Sequence, residues 1–87
     1  MTTFAMPTIH LNGTSSDELL QQALDPGRAV TAAMAMLSRA APNCRDYYPQ
    51  GPSATTTAMR EHQERLAKLQ DVLDDLHRIA EHISEAS

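Results

Sequence analysis

From residue 59 onward the chain repeats one spacing: Met59, His62, Leu66, Leu69, Leu73, Leu76, Ala80 and Ile83 follow one another at steps of three and four. Only an α-helix carries such steps onto a single face, so the spacing predicts a helix over 53–85 with that seam turned inward. Its outer surface holds Arg60/Glu64, Glu61/Arg65, Glu64/Lys68 and Asp74/Arg78 at i, i+4. Pairs of this kind contribute a few tenths of a kcal/mol each and mark a solvated face. Strands are disfavoured throughout: thirteen alanines and five methionines stand against three aromatic residues, Phe4, Tyr47 and Tyr48.

A second helix is expected upstream. Ser15 and Glu18 have the spacing of a capping box, and Asp17 and Glu18 suit the positive end of a helix beginning at residue 16. Pro26 and Gly27 threaten it, and Asp25-Pro26 also reads as a fresh helix start, so two short helices are an alternative. The apolar phase nevertheless runs on from Leu20 and Leu24 past Gly27 to Val30 or Thr31, Met34, Leu37 and Ala41. We read one helix, 16–41, kinked at Pro26. Residues 42–52 hold three prolines and a glycine and form a stiff connector without regular structure. Residues 1–14, with Ile9 and Leu11 alternating with polar neighbours ahead of Asn12-Gly13, form a short extended arm.

The expected architecture is all-α: an arm over 1–14 and a helical-hairpin domain over 15–87, with antiparallel helices of roughly 39 and 46 Å. Leu, Ile, Val and Phe total only fifteen of 87 residues, too few for a sizeable private core. Val72 and Ile79 flank one seam while Ala33, Met36 and Ala40 flank the other, so each apolar stripe is wider than one partner helix covers. A homo-oligomeric bundle is the expected remedy. The run Thr31-Ala32-Ala33-Met34-Ala35-Met36 suits close approach of helix backbones between protomers.

Charge and cysteine usage narrow the function classes. A net charge of −4 argues against general DNA binding. No apolar run reaches membrane-spanning length and the first dozen residues look unlike a signal sequence. The lone Cys44 offers neither a disulfide framework nor a zinc finger. A soluble protein of a reducing cytoplasm is expected, with no membrane partner and no cofactor.

Catalysis and metal binding find little support. Cys44 has no histidine within ten residues to serve as base, so no enzyme is expected. Asp74 and His77 stand three apart, but the first helix has no matching pair, and His77 and His82 diverge around the axis by about 140°. No metal site is expected, and His62 reads as a satisfied seam residue.

Two stretches suit ligand binding. In Asn12-Gly13-Thr14-Ser15-Ser16, hydroxyls and a glycine meet the positive terminus of a helix, a combination that holds phosphate and equally serves a plain helix cap. The other stretch, Asn43-Cys44-Arg45-Asp46-Tyr47-Tyr48, joins two rings able to stack on a base with an arginine able to grip phosphate. It also reads as a loop folding its tyrosines over the bundle end. The two stretches fall at opposite ends of the first helix. Antiparallel protomers would bring one chain's Asn12, Gly13, Thr14, Ser15 and Ser16 beside another's Asn43, Arg45, Asp46, Tyr47 and Tyr48.

In Thr8-Ile9-His10-Leu11-Asn12-Gly13-Thr14 and in Pro42-Asn43-Cys44-Arg45-Asp46-Tyr47-Tyr48-Pro49-Gln50-Gly51 the chain resembles a group of small phage and prophage proteins. That group has glycine where Cys44 stands; if the glycine takes positive φ, Cys44 strains the turn or the turn differs. The resemblance implies a viral origin and no mechanism. By analogy with helical phage proteins that capture immune signals, a counter-defence role follows: a non-enzymatic oligomer sequestering a cyclic oligonucleotide or an ADP-ribose derivative. The rivals are an inhibitor that docks on a host defence protein, and a structural or assembly accessory of the phage.

Overall fold

A computed structural model describes residues 4–86 and contains two long helices, with no strand among the described residues. The first, α1 (Ser16–Arg39), opens on Ser15, whose Oγ accepts from the Glu18 N–H at 3.3 Å. Asp17 and Glu18 follow in its first turn, where their charge opposes the helix dipole favourably. The helix runs through Pro26 and Gly27 as a single element. Pro26 and Gln22 are both exposed, so the bond that the proline cannot donate is lost on the solvent side of the helix rather than in the seam. It ends at Arg39, two residues short of the expected 41, because Ala41 precedes Pro42 and is driven out of helical geometry. Ala40 closes the end, its N–H donating to the Leu37 carbonyl at 3.0 Å.

The connector is more regular than its prolines suggest. Two single 3-10 turns, Cys44–Asp46 and Tyr48–Gln50, occupy it. Asn43 seeds the first, because its Oδ1 accepts from the Arg45 N–H at 3.0 Å and so stands in for a backbone acceptor. Gly51 then turns the chain at φ 123°, a region essentially confined to glycine. The second helix, α2 (Ala54–Ala86), follows with its boundaries one residue later than expected.

The helices pack antiparallel: Gly27 faces Leu73, and Leu19 and Ala23 share a groove with Leu76 and Ile83. Among the described residues Ala23, Ala58, Leu73, Ala80 and Ile83 are the buried apolar ones, joined by His62. The seam is therefore occupied as its spacing demands at His62, Leu73, Ala80 and Ile83. Nearer the connector Ala58 replaces Met59 as the inward residue, the drift expected when a 3.6-residue helix carries a slightly shorter repeat. Arm residues 4–10 are without regular structure and fold back onto the helices. Pro7 sits in the groove beside Leu19, Leu76 and Ile83, its carbonyl accepting from His82 Nε2 at 3.0 Å, and Arg78 stacks over the Phe4 ring at 4.6 Å. Arm residues 1–3 and the hairpin's Ser87 lie outside the described residues.

One chain covers itself poorly. It measures 62 × 24 × 17 Å with a radius of gyration of 18.5 Å, where a compact chain of this length has about 12 Å. It exposes 6406 Å², roughly 1,400 Å² more than a compact monomer of its mass.

Candidate functional site

The structure keeps the two candidate stretches well defined and far apart. At the first, the Gly13 N–H donates to the His10 carbonyl at 3.1 Å and closes a turn whose tip, Leu11, is 99% exposed. A Cβ on Gly13 would lie 2.7 Å from His10 Nε2, so a larger residue there would push the exposed His10 ring aside. Asn12, Thr14 and Ser15 are exposed and Ser16 is half-buried. The Ser15 hydroxyl is occupied as the cap, which leaves Thr14, Ser16 and the outward N–H groups of the first turn to meet an anion. Asp17 and Glu18 share that turn, and no cation stands in Asn12–Ser16. A phosphate held here needs a positive group from elsewhere.

The second stretch supplies one. Arg45 and Asp46 are exposed on the first 3-10 turn, Tyr47 is half-buried and Tyr48 is 66% exposed. Successive backbone bonds fix the rings' base: Asp46 N–H to Asn43 O, Tyr47 N–H to Cys44 O and Gln50 N–H to Tyr47 O, each at 3.0 Å. Asn43 commits its side-chain oxygen to the turn with one bond and keeps its amide N–H groups for a ligand. Cys44 is unstrained, since no residue other than glycine has positive φ among the described residues. Tyr48, at least, does not plug the bundle end.

The 24 residues of α1 separate the two stretches by about 35 Å. Within one chain they form no common pocket.

Other features were not singled out by sequence reasoning. An open groove of about 250 Å³ lies between the helices, lined by Leu24, Gly27, Arg28, Thr31 and His77. Arg28 is held there by Asp25 at 2.6 Å, both side chains about two-thirds exposed, a pair worth little in water. The sequence signal for the groove is Pro26-Gly27, a poor helix-forming pair retained in mid-helix. His82 is not merely solvated but ties down the arm. His62 corrects a further expectation: it is 3% exposed, yet its Nε2 has no hydrogen-bond partner among the described residues.

Among the described residues no three His, Cys, Asp or Glu side chains gather into a metal-binding group. No described helix is long and apolar enough to cross a membrane. No family profile, no curated protein and no solved structure matches the chain.

Proposed function

We propose that the protein is a non-enzymatic homo-oligomer that captures a phosphate-bearing nucleotide in pockets between protomers. The observation that carries this reading is the surplus of roughly 1,400 Å² of surface on one chain, well above the ~800 Å² that each partner contributes to an ordinary interface. The division of labour between the candidate stretches supports it further. The α1 cap offers N–H groups and hydroxyls but no cation, while the connector about 35 Å away offers an arginine and two rings. Each lacks what the other holds. In the composite pocket Thr14 and Ser16 meet phosphate, Arg45 neutralises it, and Tyr47 and Tyr48 stack on base or sugar.

For a chain resembling small phage proteins, capture of a cyclic oligonucleotide or ADP-ribose-type immune signal is the use of such a pocket that we favour. Sedimentation combined with calorimetry against cyclic dinucleotides, cyclic trinucleotides and cyclic ADP-ribose isomers tests it. The expected result is an oligomer that binds one of these more tightly than about 10 μM, roughly −7 kcal/mol. Arg45→Ala and Tyr47→Ala should abolish binding and leave the oligomer's mass unchanged. An intact oligomer that binds none of them overturns the reading.

One observation favours a second reading. Asp71, Asp74 and Asp75 are exposed on α2 beside Val72, itself 47% exposed. An acidic face with an apolar flank suits an inhibitor docked on a basic host defence protein. Charge reversal of the three aspartates disables that inhibitor and leaves nucleotide binding intact.

A further inference from the structure

We infer that two copies of the chain pair through α1, antiparallel and centred near Ala33, and that this pairing carries each connector toward the other copy's helix cap. The inference rests on the homo-oligomer proposed above and specifies its interface.

From Ala29 to Ser38 α1 carries no charge on any side, while the chain's own α2 covers only one face. Apart from Thr31 and Ser38 the segment is apolar all round, and an apolar segment belongs in an interior. Val30, Met34 and Leu37 are half-buried against the hairpin; Ala29, Ala32, Ala33 and Ala40 are exposed, and Met36 is 70% exposed. These five exposed residues, spaced three, four, seven and eleven from Ala29, form one stripe along the outer side of the helix. The outer surface of α2 differs: Arg60, Glu61, Glu64, Arg65, Lys68, Asp71, Asp74 and Asp75 stud it. Desolvating such charges costs more than burying alanine and methionine, so the uncovered area that closes most readily is on α1. A second copy is the occupant that fits. It offers the same uncharged stripe and the same surplus surface, so each copy relieves the other's exposure in a self-complementary interface. Alanine side chains let helix axes approach to about 8 Å, and Met36 fills the gap that remains.

Antiparallel pairing has a consequence for the candidate site. With the twofold axis at Ala33, Ser16 lies about 25 Å along the helix from the axis, and the second copy's Arg39 lies about 9 Å from it on the same side. The axial separation between cap and helix end falls from about 35 Å within a chain to about 16 Å between chains. The connector residues that follow Arg39 span the remainder, so Arg45 of one copy approaches the cationless cap of the other.

Cysteine cross-linking tests this. In a Cys44→Ser background, Ala33→Cys should oxidise to a disulfide-linked dimer in high yield, because a residue on the axis faces its own copy. Gln63→Cys, on the outer face of α2, should remain monomeric on a non-reducing gel. Ala33→Glu should convert the wild-type oligomer to smaller species in sedimentation with its helical circular dichroism preserved. If the wild type is an oligomer but Ala33→Cys fails to cross-link, the α1 pairing is wrong while the oligomer stands, whether or not Ala33→Glu folds. A wild type that stays monomeric at tens of micromolar overturns both.

Discussion

His62 shows how a single residue departs from what its spacing suggests. The seam places it inward and it is only 3% exposed, but nothing among the described residues accepts from or donates to Nε2. A buried polar atom without a partner costs about 1–3 kcal/mol, and the atom is sealed within the chain, beyond a second copy's reach without rearrangement. Leucine has similar volume and no polar atom, so His62→Leu is expected to stabilise the fold by about 1 kcal/mol, read as a higher urea midpoint with an unchanged slope. A lower midpoint would mean that the imidazole has a bonded role in solution. Spacing revealed that position 62 faces inward, because spacing reports direction. It did not reveal the missing partner, since that depends on which side chains a neighbouring helix brings opposite. The same division holds at Ser15, whose cap is visible in sequence because both ends of the bond lie three residues apart. It holds in reverse for His82, whose bond to the Pro7 carbonyl joins residues 75 apart.

At the scale of elements, α1 poses the sharper question. Proline and glycine in mid-helix cost roughly 3 and 1 kcal/mol relative to alanine, yet the helix continues through both. Packing is the reason: Leu20, Leu24, Met34 and Leu37 keep one face on α2, and the interruption sits on the exposed side at Pro26 and over Leu73 at Gly27. A Cβ added to Gly27 would lie 3.7 Å from Leu73 Cδ1, an ordinary van der Waals contact. Gly27→Ala should therefore gain about 0.5–1 kcal/mol in chemical denaturation. Destabilisation instead would show that something approaches Gly27 more closely than its own chain does. The two helices were legible because their phase repeats over many turns, so a few poor residues leave it intact. The connector's 3-10 turns were not, because they follow from Asn43 folding onto Arg45 N–H and from Gly51 reversing the chain, events of two or three residues with no repeat to detect. The candidate site was legible as two groups of residues, and the structure supplied the distance that separates them.

For the whole molecule, the decisive quantity is how much of the hairpin's stability one chain supplies. Five buried apolar residues, three of them alanine, form a thin core, and only Ile83 is fully enclosed among the described residues. Burial of one large apolar side chain contributes about 1.5–3 kcal/mol, whereas ordering each backbone residue costs about 1–2 kcal/mol. With so little enclosed, the proposed pairing draws the remainder from surface covered by a second copy. Association then adds to the stability of each hairpin, and stability follows concentration. A hundredfold dilution removes about 2.7 kcal/mol from such a dimer, so the thermal midpoint should fall by several degrees and the transition should remain single. Ala33→Glu should lower the midpoint and remove its dependence on concentration, because that substitution uncouples the copies without touching the seam between α1 and α2. A wild-type midpoint that stays constant across the dilution would mean that the thin core suffices alone. The composite pocket would then lose its second wall, and the connector would stay the length of α1, about 35 Å, from the cap of its own chain.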